Sequence, residues 1–377
     1  MEPIEPQPGS PIDPRNAVGR RGVTEAARRE LLRGNNLALT DPRRMGKTVW
    51  LDLFCAGAGD GLIAVKIDYE GVQSTDEFLG RTLKELRAFA PLPARARGRL
   101  AAFFDGWDVS VGPVSVKPSL THLGTLEMLN VTIEAIAEAM AADTKLVIAM
   151  DEVPMAISNI AAAEDADAAG RLLQVLRSIR RNHPQIGWIV CGSIGFHHVL
   201  RRCGVTEGVL NDLVNLPLGP FDEEEAIELA HRLTLGIKRS ATMDVVARIA
   251  DRAGRIPFLI HALAHRLEDS GTGPLSDADV DQAFDDFVHD RDESRAITHL
   301  VTRLEIYGDL AASAEQVLDH VATQAPVLEA ALAELVPTGS TIIDDLVDDH
   351  YLRRLDEGLV WRYEVLRVVW VARQGLS

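Results

Sequence analysis

The stretch Asp41-Pro42-Arg43-Arg44-Met45-Gly46-Lys47-Thr48 decides the fold of this chain. It ends in the Gly-Lys-Thr of the pattern G-x-x-x-x-G-K-[ST], with an aspartate in place of the first glycine. Residues 36–40 before it form a short apolar run, and apolar residues recur after it at helical spacing. A strand, a loop and a helix in this order predict a phosphate-binding loop, because main-chain N–H groups at a helix N-terminus attract anions.

Two side chains of this loop have predicted roles. Lys47 is expected to reach the β- and γ-phosphates of a nucleotide, and the Thr48 hydroxyl to ligate Mg²⁺. The first glycine of the pattern opens the turn and does not hold the phosphate, so Asp41 is expected to be tolerated there. The alternative is a chance Gly-Lys-Thr in a surface turn, and the flanking strand and helix argue against it. The predicted nucleotide-binding residues of the loop are Pro42, Arg43, Arg44, Met45, Gly46, Lys47, Thr48 and Val49.

The composition is that of a soluble globular protein with two or three domains: 377 residues, 46% hydrophobic and 25% charged. No apolar run approaches the length of a membrane span, and the acidic, proline-rich first 14 residues are unlike a signal peptide. Three cysteines offer neither a disulfide framework nor metal-ligand spacing, so we expect a cytoplasmic protein. The net charge of −17 argues against a protein that coats nucleic acid non-specifically.

Apolar runs and helical patterns alternate through the first 220 residues. Such alternation predicts an α/β fold with a mostly parallel sheet and helices on both faces. The predicted strands are 36–40, 62–68, 145–150 and 186–192, with a shorter one at 216–218, and the predicted helices are 24–33, 77–89, 121–142 and 168–181.

The rest of the chain divides into four predicted parts. Residues 1–16 are an extended, proline-rich leader, and 17–220 form the core, with a hairpin insertion near 105–118. Residues 221–294 form a helical lid, in which Asp222, Thr242, Pro257 and Ser276 begin successive helices. Residues 295–377 are helical and contain a hairpin at 351–363, which is typical of a winged-helix domain.

The predicted strand 145–150 ends in two carboxylates, Asp151 and Glu152. Side chains at the carboxyl end of a parallel strand face the crevice where ligands bind. Asp151 is suited to hold Mg²⁺, and Glu152 to act as general base on the attacking water. The alternative is an acidic pair that caps the next helix. At the tip of the strand 186–192, Ser193 is a candidate to contact the γ-phosphate or the water, or it is simply a serine in a glycine-flanked turn.

With these parts in this order, the chain resembles the archaeal-type ATPases, a family within the AAA+/STAND division of P-loop ATPases. Its loop 42–48 is similar to that family's Pro-Arg-Arg-x-Gly-Lys-Thr, and residues 17–20 (Ala-Val-Gly-Arg) resemble the Val-Gly-Arg box near the adenine. Residues 149–152 match the acidic strand end, and 191–193 the Gly-Ser tip. Residues 253–258 resemble the Gly-x-Pro turn that in relatives lies against the base, and 363–370 resemble the terminal helix.

The resemblance implies a P-loop fold of strand order 5-1-4-3-2 with a lid and a winged helix, and ATP with Mg²⁺ as ligands. It adds Arg20, Arg255 and Pro257 to the expected nucleotide-binding residues. Two departures matter: Asp41 replaces the first glycine of the loop, and Arg255 stands where relatives often have the glycine of Gly-x-Pro. The second leaves open whether the turn contacts the base or Arg255 faces the phosphates.

By the same resemblance, the chain is expected to be an ATP-hydrolysing switch or motor that acts on a protein partner or on copies of itself. The arginine that a neighbouring copy would supply is left open among Arg177, Arg180, Arg181, Arg201 and Arg202. A nucleotide-binding scaffold with negligible hydrolysis is the first alternative.

A DNA-associated ATPase of the initiator or transposition-regulator type is the second alternative. Charge disfavours it, because residues 297–377 hold six arginines and no lysine against thirteen carboxylates. The i, i+4 histidines His261 and His265 lack a third ligand and are expected to be helix-face residues and not a metal site.

Overall fold

The computed structural model describes residues 1–9, 12–59, 61–89, 91–95, 97–98, 125–140, 143–192, 195–290, 303–336 and 341–376. The predicted hairpin near 105–118 and the candidate Ser193 lie outside these residues. The chain forms two compact units. The sheet unit comprises Arg21–Thr40 and Trp50–Pro217, and the helical unit comprises Met1–Arg20, Asp41–Val49 and Leu218–Ser377.

The sheet unit is built on five parallel strands in the order β2-β3-β4-β1-β5. Read from the other edge this is 5-1-4-3-2, so the expected strand order is confirmed. The four longer strands lie within one residue of their predicted bounds, because runs of branched apolar residues buried on both faces are a strong local signal. The strands are β1 (Asn36–Leu39), β2 (Leu62–Asp68), β3 (Lys145–Asp151), β4 (Ile186–Cys191) and β5 (Leu213–Asn215).

The prediction of the fifth strand at 216–218 is wrong. The strand is Leu213–Asn215, and it pairs with β1 through Leu213, Val214 and Asn215. The Leu216 N–H still donates to the Ala38 carbonyl at 2.9 Å. Pro217 follows and has no N–H to donate, so the hydrogen-bond ladder ends before it. The apolar run 216–218 therefore marks the exit from the sheet and not the strand.

Alternate residues of the central strands face one large core. Ile148 on β3 and Trp188 on β4 belong to it, whereas Val147 and Gly187 next to them face the opposite side, where Leu31 of the first helix packs. This period of two is what a sheet covered on both faces requires. The helices of the sheet unit are α1 (Arg21–Leu32), most of α2 (Lys47–Ala56), α3 (Thr75–Ala88), α4 (Thr125–Ala139), α5 (Val153–Ala163), α6 (Ala166–Asn182) and α7 (Phe196–Arg202).

Four helices follow the sheet in the chain, and three of them have an N-cap side chain that accepts a main-chain N–H. The Asp222 carboxylate accepts the Glu225 N–H at 2.8 Å, and Ser276 and Asp279 form a reciprocal capping box. Pro257 occupies the first turn of the third helix, as predicted. The helices are α8 (Glu223–Gly236), α9 (Met243–Arg252), α10 (Pro257–Asp269) and α11 (Asp277–His289).

The C-terminal part of the helical unit places a β-hairpin between helices. Strands β6 (Leu352–Leu355) and β7 (Gly358–Trp361) pair antiparallel, which confirms the predicted hairpin. Trp361 packs on Trp370 with ring centroids 5.4 Å apart, and both are buried. The assignment of this part as a winged-helix domain stays a prediction. Its helices are α12 (Ala311–Gln324), α13 (Ile342–Asp348) and α14 (Glu364–Gln374).

The N-terminal leader is attached to helices of the same unit. The Ile4 N–H donates to the Arg232 carbonyl of α8 at 3.0 Å, and Arg232 returns a hydrogen bond to the Glu2 carbonyl at 2.9 Å. The Gln7 N–H donates to Nδ1 of His261 on α10 at 3.2 Å. The extended leader is thus held by its main chain. Among the described residues, no helix combines the length and the apolar character that crossing a membrane requires.

Candidate functional site

The loop between β1 and α2 has the backbone of an anion-binding concavity. Arg44 and Gly46 have positive φ angles of 73° and 85°, while Arg43, Met45 and Lys47 between and beside them do not. Alternation between right-handed and left-handed residues turns successive N–H groups towards one side, which makes a nest for an anion. Helix α2 begins at Lys47, so the positive end of its dipole lies at the same place.

Lys47 is held inside its own loop. Its ammonium group donates to the Pro42 carbonyl at 2.8 Å and to the Asp41 carbonyl, and the residue is only 7% exposed. A buried ammonium group that is satisfied by two main-chain oxygens keeps its charge in a fixed position. Thr48, one residue further, is exposed.

The Asp41 side chain makes hydrogen bonds that a glycine at this position could not make. Its carboxylate accepts the Leu218 N–H at 2.8 Å and the Gly219 N–H at 2.9 Å, and the residue is 1% exposed. Two N–H groups on one buried carboxylate satisfy a charge that would otherwise be costly. The sequence prediction that Asp41 is merely tolerated missed this contact, because its partners lie 177 and 178 residues away.

Arg20, expected near the adenine, lies on main-chain carbonyl groups. Its guanidinium donates to Met45 at 2.8 Å, to Gly219 at 2.7 Å, to Pro220 at 3.2 Å and to Leu218. Its Cζ lies 4.5 Å from the centroid of the Phe221 ring, a cation–π distance. Burial lowers the pKa of Arg20 to about 10, and the charges of Glu225 and Asp41 oppose this shift. Arg20 therefore remains charged at neutral pH.

Residues of α10 pack on the loop. The Arg44 guanidinium carbon lies 4.6 Å from the centroid of the Phe258 ring, and a methyl group built on Gly46 would lie 4.0 Å from Cγ of Pro257. The structure thus places Pro257 beside the loop. Arg255 donates to Asp251 at 3.1 Å and lies 3.8 Å from Glu223, so its guanidinium contacts two carboxylates of the helical unit.

The acidic pair lies at the carboxyl end of β3 in the sheet unit. Asp151 is 3% exposed, and its Oδ1 accepts the Glu152 N–H at 3.1 Å. Glu152 has φ 55° and begins α5, but its side chain caps none of the N–H groups of that helix. The Glu152 side chain therefore does not cap α5, in contrast to the alternative interpretation of the acidic pair. Strand register places Asp151 one residue beyond Met150, which pairs with Val190, and Val190 pairs with Ala38 of β1.

Lys66 on β2 is a neighbour of Asp151 that no motif in the sequence indicated. Its ammonium nitrogen lies 3.9 Å from Asp151 Oδ2 and donates to Asp52 Oδ1 of α2 at 2.7 Å. A lysine inside the apolar strand 62–68 was the available signal, since a charged side chain is seldom buried there without a partner. The lysine places one positive charge beside the buried carboxylate.

The tip of β4 packs tightly on the residues that follow the acidic pair. A methyl group built on Gly192 would lie 2.3 Å from Cδ of Pro154, so only glycine fits at that position. Cys191 is fully buried. The tip of β4 is therefore held against the start of α5.

One of the five candidate arginines has a structural role in the sheet unit. Arg180 is 5% exposed and makes two hydrogen bonds to Asp212, at 2.6 and 3.0 Å, and one to the Val209 carbonyl at 2.8 Å. A buried, doubly paired guanidinium is not available to a neighbouring molecule. Arg180 is therefore the least suitable of the five to act on a phosphate of another copy.

The charges of the loop act on two residues from the C-terminal hairpin region. Burial lowers the pKa of His350, Arg362 and Lys47 lower it further, and Asp41 opposes the shift. Burial raises the pKa of Tyr363, Asp41 raises it further, and Arg362 and Arg20 oppose the shift. More than 300 residues separate them from the loop in sequence. No local pattern could have found them.

Comparison with known proteins shows which fold this is. The structure is similar to the Walker-type ATPase PABY2304 of Pyrococcus abyssi, with a TM-score of 0.62, 13% identity, and coverage of 94% of this chain and 96% of that one. It is also similar to the ORC2 protein of Aeropyrum pernix, solved as ADPNP–ADP complexes, with a TM-score of 0.52, 16% identity and 94% coverage of both chains. No protein-family model matches the sequence, and neither does any curated protein.

At these identities the likeness shows the fold alone. The chain has the α/β fold of the P-loop ATPases of the AAA+ type, and the resemblance stated from its sequence motifs is confirmed at that level. The likeness extends over almost the full length of both relatives.

Proposed function

We propose that this chain binds ATP with Mg²⁺ and hydrolyses it, and that it works as a nucleotide-driven switch. The observation that carries the proposal is the loop at residues 41–49. It combines the φ alternation of an anion nest, the N-terminus of α2 and the ammonium group of Lys47. A Gly-Lys-Thr sequence that occurs by chance in a surface turn is not expected to combine these three features. The loop N–H groups and Lys47 would hold the phosphates.

The donor set fits a magnesium ion. Mg²⁺ prefers oxygen ligands and in ATPases takes few of them from the protein, the rest being phosphate oxygens and water. The exposed Thr48 hydroxyl and the Asp151 carboxylate are such ligands. When bound, the ion would neutralise charge on the phosphate chain.

Glu152 is the proposed general base. Its backbone is left-handed, and its carboxylate makes no cap hydrogen bond to α5. A carboxylate that follows the metal ligand directly can orient a water and accept its proton. Ser193 remains a proposed contact of the γ-phosphate or of that water.

The remaining proposed roles concern the shape of the nucleotide site and contact with a partner. Pro257 and Arg20 are proposed to shape the nucleotide site: Pro257 packs beside Gly46, and Arg20 holds the loop through Met45. Arg43 and Arg44 are proposed to contact phosphate or partner, and Arg255 to act on the phosphates only after leaving Asp251 and Glu223. A protein partner or a second copy of the chain is favoured.

DNA is disfavoured as the partner. Helix α13 carries Asp344, Asp345 and Asp348. Arg354 of β6 is bound by Asp344 of this helix at 2.5 Å and by Glu329 at 2.6 Å. An acidic helix beside an arginine that is already paired would repel phosphates.

ATP turnover with and without Mg²⁺ tests the proposal, using wild-type protein and Glu152→Gln. Loss of the base should lower turnover by about 10²- to 10⁴-fold and leave ATP binding intact. Glu164→Gln is the matched control, since Glu164 is the C-cap residue of α5 and Glu152 is its N-cap residue. Undiminished turnover in Glu152→Gln would refute the assigned base. Tight ATP binding without turnover by the wild type would favour the scaffold alternative.

A further inference from the structure

Leu218 and Gly219 are held from both sides by two charged side chains. Asp41 accepts both of their N–H groups, and Arg20 donates to both of their carbonyl groups and to that of Pro220. The main-chain groups of two consecutive residues outside any helix or strand are thus bonded to side chains. This arrangement is a clamp made of Asp41, Arg20 and the segment 218–220.

The clamp is fastened to the phosphate-binding loop. Asp41 is the first residue of the loop, and Arg20 also donates to the Met45 carbonyl at 2.8 Å. Both clamping residues are at least 95% buried. Hydrogen bonds from charged groups are about twice as strong as neutral ones, and burial leaves no water to replace them. A displacement of the loop would therefore pull on the segment 218–220.

The other side of the clamp is the start of α8. Segment 218–220 leads through Phe221 to Asp222, the N-cap of that helix, and the Arg20 N–H donates to the Glu225 carboxylate in its first turn. The Phe221 N–H donates to the Arg255 carbonyl at 2.9 Å, and the Phe221 ring lies under the Arg20 guanidinium. The first helix of the expected lid is thus tied to the loop by side chains.

We propose that Asp41 and Arg20 are positioning residues that lock the segment 218–220 onto the phosphate-binding loop, so that nucleotide binding and the order of the lid entry depend on each other. The proposal rests on the proposed binding of ATP in the loop. Glycine at position 41 has no side chain with which to hold the N–H groups of Leu218 and Gly219. The replacement of glycine by aspartate is then a functional feature of this chain.

The coupling has a defined consequence. If nucleotide stabilises the clamp by some factor, the clamp strengthens nucleotide binding by the same factor, because linked equilibria are reciprocal. Substituting Asp41 should therefore change two observables together: amide exchange at Leu218 and Gly219, and nucleotide affinity. If the Asp41 carboxylate had only a structural role, its substitution would raise amide exchange at Leu218 and Gly219, but nucleotide would still slow that exchange.

Amide hydrogen exchange in residues 216–222 tests the proposal, measured with and without a non-hydrolysable ATP analogue and Mg²⁺. The variants are Asp41→Asn, which can accept only one of the two N–H groups, and Asp41→Gly, which restores the common glycine. In the free protein, exchange at Leu218 and Gly219 should rise by about tenfold or more per lost hydrogen bond. Asp165→Asn is the control, since Asp165 likewise accepts a main-chain N–H, that of Ala168, as the N-cap of α6.

The expected result is that the analogue slows exchange in the wild type and that both Asp41 variants lose this response and an equal factor of affinity. Unchanged exchange in a folded Asp41→Asn or Asp41→Gly protein would overturn the clamp. A wild type that binds the analogue without slower exchange at 218–219 would overturn the coupling. A wild type that binds no analogue would overturn the proposed function, and the coupling with it. Exchange in the free protein would still show separately whether Asp41 holds the N–H groups.

Discussion

Replacing Lys66 by methionine tests how charge next to Asp151 controls the proposed metal site. The Lys66 ammonium nitrogen lies 3.9 Å from Asp151 Oδ2, so it competes with a divalent ion for that carboxylate and also repels the ion. Methionine keeps most of the side-chain volume and removes the charge. We therefore expect Lys66→Met to bind Mg²⁺ more tightly than the wild type.

The magnitude follows from Coulomb's law. Unit charges 3.9 Å apart interact by about 4 kcal/mol at an effective dielectric constant of 20. Asp52, bonded to Lys66 at 2.7 Å, and partial solvent exposure reduce this effect. A third of it, about 1.4 kcal/mol, corresponds to roughly tenfold tighter binding of Mg²⁺.

The assay is a calorimetric titration of Mg²⁺ into protein saturated with a non-hydrolysable ATP analogue. Asp52→Asn should shift affinity the other way, because Lys66 then has only Asp151 as a counter-charge. Lys84→Met, on the exposed side of α3, removes the same charge elsewhere and should have no effect. Unchanged or weaker Mg²⁺ binding in Lys66→Met would refute the reasoning.

Two further predictions concern stability. Burial lowers the pKa of His261 to about 4. Because this is below the unfolded value near 6.5, its contribution is fully present above pH 6.5 and is lost as the pH falls towards 4. His261 should therefore lower the free energy of unfolding by about 2 kcal/mol between pH 7 and pH 5, as measured by thermal or denaturant unfolding. This loss should be absent in His261→Gln and present in His265→Gln. Gly192→Ala should cost about 1–3 kcal/mol, because its methyl group would meet Pro154, whereas Gly273→Ala meets nothing within 4 Å; equal stabilities of the two in denaturant would contradict the packing.

The sheet could be predicted because its signals are local. Runs of branched apolar residues give the four longer strands, and the resemblance of the motifs gives their order. The fifth strand was misplaced because residues 216–218 look apolar, while strand pairing depends on main-chain N–H groups that Pro217 lacks. The capping residues Asp222 and Ser276 were predicted correctly, since an N-cap depends only on the next three residues.

The candidate site was predictable only where it is contiguous in sequence. The loop 41–49 and the pair Asp151 and Glu152 are each one motif. The partners of Asp41 lie 177 and 178 residues away, and Lys66 meets Asp151 only through the pairing of β2 with β3. Arg20 was expected near the adenine, whereas its carbonyl partners at 218–220 depend on the fold of the whole helical unit. Such contacts leave no periodicity in the sequence.

The most direct test of the central claim is a calorimetric titration of a non-hydrolysable ATP analogue, with Mg²⁺, into wild-type protein and Lys47→Ala. We expect saturable binding at one site by the wild type, and an affinity lower by about tenfold to a hundredfold in Lys47→Ala, because a charge-assisted contact to phosphate is lost. Lys84→Ala should bind as the wild type does. Equal affinity of Lys47→Ala and wild type, or no binding by either, would contradict the claim that the loop at 41–49 holds a nucleotide.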